Sequence, residues 1–185
     1  MRINSILKES KANGPGNRAV VWVQGCSKNC EGCFNNQAHD RFNGKEMQVS
    51  SILMQLNLDE IDGITVSGGE PFEQAEELKE LLKFAKEKNL NTLVYSGFTY
   101  QELYSKYKDV LIYCDYLIDG PFIKNIPSMC KWAGSGNQRF LELKDGEIAR
   151  DLTDCEDYSR TAEIIIDKTG KITVTGFFEQ KCEEI

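Results

Sequence analysis

The apolar residues of this chain predict strands and helices in alternation through its first part. Ala19–Val23 is a continuous apolar run rich in valine, which is typical of a strand buried on both faces. Ile61–Val66 and Thr92–Tyr95 predict two further strands. Between these strands, apolar residues recur at helical spacing from Val49 to Leu56, and again from Pro71 to about Asn89. The predicted order therefore begins as β-α-β-α-β.

A capping box predicts where the next helix begins. Thr99 is followed three residues later by Glu102, and each of these side chains can accept a hydrogen bond from the other residue's backbone amide. Val110–Ile118 then predicts a fourth strand. Four strands separated by helices require a parallel sheet with right-handed crossovers, so we expect an α/β fold with an open sheet or a partial βα barrel.

The pattern changes after the fourth predicted strand. A loop with several glycines and prolines leads to a short predicted strand at Arg139–Leu143. Glu163–Ile166 and Lys171–Thr175 flank a turn-forming segment, which indicates a β-hairpin. We therefore expect a βα core over residues 1–145 and a C-terminal β-rich extension over residues 146–185. No repeat or flexible linker separates the two, so both are assigned to one domain.

Composition and charge restrict the class of protein. The chain has 185 residues, enough for a single domain with a substantial core, and 41% of them are hydrophobic. Its 22 basic and 29 acidic residues give a net charge of −7, which disfavours non-specific binding to nucleic acid or membrane surfaces. No apolar run approaches membrane-spanning length, and Met1–Ser10 lacks the core of a signal peptide. We expect a soluble cytoplasmic protein with neither nucleic acid nor membrane as its partner.

Cysteine usage points to a metal centre. The seven cysteines are odd in number, which disfavours a disulfide framework. Cys26, Cys30 and Cys33 form a C-x3-C-x2-C array directly after the first predicted strand. The other cysteines are scattered, and we expect them to be free thiols rather than ligands of an auxiliary cluster: Cys114, Cys130, Cys155 and Cys182.

Two inorganic centres are compatible with the cysteine array. The three thiolates and His39, the single histidine, would make a Cys3His zinc site. Alternatively, three cysteines would hold a [4Fe–4S] cluster, which ordinarily takes four thiolates. One iron would then keep an open coordination position, which is typical of a catalytic centre rather than a structural one.

Further candidate residues follow the other predicted strands. Gly68, Gly69 and Glu70 follow the second strand, Ser96 the third and Asp119 the fourth. Ligands of α/β sheets bind at the carboxyl ends of strands, so these residues are expected to line a binding site. Ordinary turn and capping roles account equally well for them when each is taken alone.

Seven stretches of the chain, in order, resemble the radical S-adenosylmethionine superfamily. Within it, the chain resembles the activating proteins of anaerobic ribonucleoside-triphosphate reductase, a class of glycyl-radical enzyme activases. The stretches are Asn13–Gly16, Val23–Cys26, Cys33–Asn35, Ser67–Pro71, Tyr95–Phe98, Asp119–Phe122 and Gly134–Gln138. The resemblance implies a partial βα barrel in which Cys26, Cys30 and Cys33 ligate three irons of a [4Fe–4S] cluster, while the fourth iron binds S-adenosylmethionine.

The resemblance also implies seven residues around the cofactors: Phe34, Gly68, Gly69, Glu70, Ser96, Asp119 and Asn137. The two glycines and Glu70 would meet the methionine ammonium of S-adenosylmethionine. Ser96 would bind its ribose or carboxylate, and Asp119 would bind ribose hydroxyls. Asn137 would lie near the adenine or the partner's loop, and Phe34 would shield the cluster.

The activity implied by the resemblance is radical generation. A flavodoxin or ferredoxin would supply one electron, and S-adenosylmethionine would be cleaved to methionine and a 5′-deoxyadenosyl radical. The radical would take hydrogen from a glycine of a large partner, which the resemblance implies is anaerobic ribonucleotide reductase. So short a chain is expected to leave a lateral opening beside the cluster that admits a polypeptide loop. Two alternatives are a small radical enzyme that modifies a peptide or small molecule, and a non-catalytic zinc or iron–sulfur binding module.

Overall fold

The computed structural model describes residues 1–128, 130–154, 161–166, 169–170 and 172–177. Its α-helices are α1 (Val49–Leu53), α2 (Ala75–Glu87) and α3 (Tyr100–Leu111). Its strands are β1 (Arg2–Ser10), β2 (Arg18–Val23), β3 (Lys45–Glu46), β4 (Gly63–Gly68), β5 (Asn91–Tyr95), β6 (Tyr116–Asp119), β7 (Arg139–Lys144), β8 (Glu147–Asp151), β9 (Ala162–Ile166) and β10 (Ile172–Gly176). None of the helices in these ranges has the length and apolar character needed to cross a membrane.

Eight of the strands form one mixed sheet. Its order is β3-β1-β2-β4-β5-β6-β7-β8. The four central strands, β2, β4, β5 and β6, are parallel to one another, as the alternating pattern predicts. Antiparallel strands extend the sheet on both sides, β1 and β3 beyond β2 and β7 and β8 beyond β6. The fold is therefore α/β with a large mixed sheet and few helices.

Both faces of the central strands are covered. The buried side chains of α2 are Leu78, Leu81, Leu82 and Ala85. They belong to the same core as every second residue of the parallel strands, such as Ile64 and Val94. Leu93 and Ile118 point to the opposite face, where Cys130 and Ala133 of the loop after β6 cover them. Strands buried on both faces have the near-continuous apolar sequences from which they were predicted.

The predicted fourth strand was wrong in its first half. Val110 and Leu111 belong to the last turn of α3, and the strand begins only at Tyr116. Both residues are buried because that helical turn faces the core, so their apolar character does not distinguish a helix end from a strand. The capping box at the other end of α3 is confirmed, since Thr99 and Glu102 exchange their predicted hydrogen bonds.

The C-terminal segment contributes to two sheets. β8 was not predicted, because all five of its residues are exposed and its two apolar residues are adjacent rather than alternating. It pairs with β7 at the edge of the main sheet. The predicted hairpin is confirmed as β9 and β10, which form a separate antiparallel pair with Ile172 opposite Ile166. Of its turn, Asp167, Lys168 and Lys171 lie outside the described residues.

Candidate active site

The three clustered cysteines lie in a loop that is closed by backbone hydrogen bonds. The loop leaves β2 at Gly25, whose N–H donates to the Ala38 carbonyl at 2.8 Å. The N–H of Cys26 donates to the His39 carbonyl at 3.1 Å. Within this closed loop the thiols of Cys26, Cys30 and Cys33 are half-buried and free. The protein backbone therefore sets where the loop starts and ends.

All three thiols line one cavity of about 450 Å³. Gly68, Gly69 and Glu70 from the end of β4 and Ser96 from the end of β5 line the same cavity. The volume falls within the range of about 300–1,000 Å³ that small-molecule sites occupy. The sheet thus brings the cysteine loop and two strand ends together at its carboxyl edge, as expected for an α/β ligand site.

The donor set of three thiols fits an iron–sulfur centre, and thiolate ligands suit zinc equally well. Burial raises the pKa of Cys26 and of Cys33, so both thiols are held neutral unless a cationic centre compensates. Among the described residues, no three thiol, imidazole or carboxylate side chains lie close enough together to hold a single metal ion. His39, the fourth ligand of the zinc alternative, lines the same cavity as the three thiols.

Gly68 and Gly69 have a steric role at the end of β4. Gly68 has a φ of 105°, and a methyl group on it would lie 2.5 Å from backbone atoms of Val23. A methyl group on Gly69 would lie 2.1 Å from the Gly25 carbonyl oxygen. That carbonyl accepts the N–H of Glu70 at 2.9 Å, so this turn packs backbone to backbone against the start of the cysteine loop.

Glu70 joins two strand ends through its carboxylate. One oxygen accepts from the Phe72 N–H at 3.0 Å and from the Ser96 hydroxyl at 2.9 Å. The other accepts from the Gly97 N–H at 2.8 Å. The side chain is almost fully buried, and burial raises its pKa from 4.5 to about 7 despite these three donors. Glu70 and Ser96 thus border the cavity as a connected pair.

Asp119, expected to bind ribose hydroxyls, lies outside the lining of the cavity. It is buried and is not among the residues that line the cavity. Its carboxylate accepts from the Tyr100 N–H at 2.6 Å and from Arg139, whose Nε lies 2.9 Å away. These contacts tie the first turn of α3 to β7, and they account for both oxygens.

The remaining predicted residues divide between the cavity and its surroundings. Phe34 lines the cavity, is 57% exposed, and packs edge-on against Phe122 with ring centroids 5.1 Å apart. Asn137 is exposed outside the lining, and its amide donates to the Pro121 carbonyl at 2.7 Å. Its neighbour Gln138 lines the cavity instead.

Gln138 and Lys28 are among the polar lining residues that sequence reasoning missed. Gln138 belongs to the Gly134–Gln138 stretch, from which only Asn137 was predicted to lie at the site. Lys28 lies between the first two cysteines, and its ammonium is 3.7 Å from the centroid of the Phe98 ring. No spacing rule separates such a lysine from a solvated one. Of the other cysteines, Cys114 and Cys130 are buried and form no disulfide, whereas Cys155 and Cys182 lie outside the described residues.

Comparison with known proteins gives a consistent family. Residues 12–141 match the family described as a 4Fe-4S single cluster domain. The anaerobic ribonucleoside-triphosphate reductase-activating protein of Enterobacteria phage T4 is 33% identical over 141 residues, covering 72% of this chain and 89% of that protein. Its counterpart from Haemophilus influenzae is 32% identical over 145 residues, covering 71% and 92%.

A relative with a different name matches less of its own length. The pyruvate formate-lyase-activating enzyme of Clostridium pasteurianum is 33% identical over 124 residues, covering 63% of this chain and 50% of that protein. The family match spans the cysteine loop and the ends of β4 and β5 that border the cavity. The chain therefore belongs to the 4Fe-4S family of anaerobic ribonucleoside-triphosphate reductase-activating proteins.

Proposed function

We propose that this chain is a radical S-adenosylmethionine enzyme that forms a glycyl radical on an anaerobic ribonucleoside-triphosphate reductase. The observation that carries the proposal is the shared cavity, in which three free thiols face the turn after β4 and the end of β5. A [4Fe–4S] cluster with S-adenosylmethionine supplies reductive cleavage to methionine and a 5′-deoxyadenosyl radical. The protein's own task is to bind, orient and shield these groups.

Each lining residue has a role in this proposal. Cys26, Cys30 and Cys33 hold the cluster, and Phe34 shields it at the exposed side. The backbone of Gly68 and Gly69, with Glu70 and Ser96, forms the wall that receives the methionine part of S-adenosylmethionine. Glu70 is well suited to an ammonium group, because a nearby positive charge lowers a pKa that burial has raised to about 7.

Two predicted residues act from outside the cavity lining. Asp119 positions the first turn of α3 through Tyr100 and fixes β7 through Arg139. Asn137 bridges the Pro121 carbonyl and the Ser135 hydroxyl, and so orients the loop that carries Gln138 into the lining. We assign both as positioning residues.

The proposal extends to architecture and surroundings. The parallel strands β2, β4, β5 and β6 form an open partial barrel, residues 1–145 being the core and 146–185 an extension of the same domain. The opening beside the cluster admits the partner's loop. A cytoplasmic flavodoxin or ferredoxin supplies the electron, and neither nucleic acid nor membrane takes part. A glycine suits the reaction because its Cα radical is unhindered by a side chain.

The first experiment tests the cluster. Anaerobically reconstituted protein should bind about four irons per chain, and alanine at any array cysteine should abolish most of that iron because two thiolates do not retain the cluster. Matched replacements at the other cysteines should leave the iron content unchanged: Cys114, Cys130, Cys155 and Cys182. Zinc without iron and sulfide in the wild-type protein would instead favour a binding module.

The second experiment tests the reaction. With a strong reductant, the loaded protein should convert S-adenosylmethionine to 5′-deoxyadenosine and methionine. Mixed with the intact anaerobic reductase of the same organism, it should give a glycyl doublet in the electron paramagnetic resonance spectrum that requires S-adenosylmethionine. A doublet only with another glycyl-radical enzyme would reassign the partner, and modification of a small molecule in its place would eliminate the activase assignment.

A further inference from the structure

The hairpin of β9 and β10 forms one wall of the active-site cavity. Five consecutive residues of the second strand and its end, Thr173–Phe177, line the cavity. The Phe177 ring lies 6.2 Å from the ring of Phe34, which borders the cluster loop. The hairpin begins beyond residue 141, where the match to the family ends. The hairpin therefore lies outside the part of the chain that matches the family.

Polar contacts on one face fix the hairpin to the rest of the protein. The Glu163 carboxylate accepts from the Lys11 N–H at 2.9 Å and also from the Ser10 hydroxyl. The Thr175 hydroxyl, directly opposite Glu163 in the pair, accepts from the Asn13 amide at 2.9 Å. The same face of both strands is thus anchored, and the hairpin has a defined orientation beside the cavity.

The register of the pair shows which backbone groups remain available. The Phe177 N–H donates to the Thr161 carbonyl at 2.9 Å. In an antiparallel pair every second residue is hydrogen-bonded, so the odd-numbered residues of β10 point their N–H and C=O groups toward β9. Val174 has the opposite parity and stands opposite Ile164. Its N–H and C=O therefore point away from β9, and no hydrogen-bond partner for them exists among the described residues.

At Val174, the edge of β10 that has no strand partner in the described part of the chain borders the cavity. Successive side chains of a strand point to opposite faces, so a single face could supply only alternate residues to a cavity wall. Because consecutive residues line it, the edge of the strand borders the cavity. The Val174 residue is 51% exposed, so the described residues leave the strand accessible at this position.

We propose that this edge of β10 receives the partner's glycine-bearing segment as an added, extended strand. An unpaired strand edge binds an extended peptide through main-chain hydrogen bonds whatever its side chains. That mode suits a glycine, which offers no side chain to recognise. An extended segment along β10 would also pass beside Phe34 and the cysteine loop. This inference rests on the proposed function and names how that function's protein substrate is held.

Proline substitution tests the edge directly. Val174→Pro removes the outward N–H, and proline is tolerated on an edge strand where its N–H faces solvent. The matched control is Ile164→Pro, because Ile164 is opposite Val174 in the same pair, is similarly exposed, and has its outward N–H on the far edge of the hairpin. Thermal unfolding of both variants checks that the hairpin and the domain remain folded.

The readout is binding of the intact anaerobic reductase to the cluster-loaded protein. Val174→Pro should weaken binding about fivefold to tenfold, since one main-chain hydrogen bond is lost, and should lower the glycyl doublet at limiting partner concentration. Ile164→Pro should bind as the wild type does. Wild-type affinity in the first variant, or equal losses in both, would overturn the proposal; equal losses would indicate docking through the exposed apolar face of the hairpin.

Hydrogen exchange provides a second measurement that needs no variant. The Val174 amide should exchange freely in the protein alone and become protected when the reductase binds, whereas the Ile164 amide should be unchanged. An unprotected Val174 amide in a complex that still yields the glycyl doublet would refute the docking edge and leave the proposed function intact. Absence of any doublet with the wild-type protein would remove the proposed function itself.

Discussion

Substitution of Gly69 by alanine is predicted to damage both the fold and the metal loop. The added methyl group would lie 2.1 Å from the Gly25 carbonyl oxygen, and 3.0 Å from that of Ala38. Both are backbone atoms, so no side chain can rotate away. Restoring ordinary van der Waals separation requires the turn after β4 to move by roughly 1 Å or more.

The cost follows from what that movement breaks. Overpacking in a well-packed site costs about 1–3 kcal/mol. The hydrogen bond from the Glu70 N–H to the Gly25 carbonyl would be lost as well, at about 1 kcal/mol. We expect a loss of about 2–4 kcal/mol in the free energy of unfolding. Because Gly25 immediately precedes Cys26, the variant should also retain less iron.

Gly97 provides the matched control. It lines the same cavity, but an added methyl group would meet only the Lys28 side chain at 3.1 Å and the Glu70 carboxylate at 3.5 Å. Lys28 is flexible, so Gly97→Ala should cost less than about 1 kcal/mol and leave iron binding unchanged. Urea unfolding and iron content, measured on both variants, decide the matter. Equal stability of the two variants, or full iron retention in Gly69→Ala, would refute the reasoning.

Three further predictions concern single side chains. Burial raises the Glu70 pKa from 4.5 to about 7, so the contribution of protonated Glu70 to the free energy of unfolding is fully present below pH 4.5 and is lost as the pH rises through 7. Glu70→Gln should remove up to about 3 kcal/mol of this pH-dependent loss of stability in urea unfolding, and an unaltered pH profile would contradict the prediction. Asp119→Asn should lower the unfolding free energy by about 2 kcal/mol, because Arg139 loses its buried partner. A tenfold loss of S-adenosylmethionine affinity in equilibrium dialysis with no loss of stability would instead indicate a ribose contact. Thr99→Ala should cost about 1 kcal/mol by removing the helix cap, and Thr99→Ser should restore it in thermal unfolding.

The parts of the fold that were predicted are those where local sequence and burial agree. The strand at Ala19–Val23 is buried on both faces, and the box at Thr99 is a purely local hydrogen-bond pattern. The strand β1 was missed because its side chains alternate irregularly around two register shifts in its pairing with β2. The separation of Val110 from the strand that follows depends on tertiary packing, which no local pattern records.

The candidate site was predictable in the same uneven way. The cysteine spacing and the motif after β4 identify residues that do line one cavity. The sequence offered no means to find that Asp119 points to Arg139, because a carboxylate at a strand end serves a ligand or a neighbouring cation equally well. The contribution of Thr173–Phe177 to the cavity depends on the docking of a distant hairpin onto the loop after β1, and only the folded chain brings them together.

The two backbone ties at the ends of the cysteine loop bear on how the protein survives oxygen. The amides of Gly25 and Cys26 donate to the carbonyls of Ala38 and His39. Folding of the domain, rather than metal binding, therefore offsets the entropy cost of closing this loop of about 14 residues. A zinc finger, by contrast, unfolds when its metal leaves. Loss of the cluster by oxidation should therefore leave the domain folded, with three thiols still lining one cavity. The same polypeptide can then be reloaded with iron and sulfide.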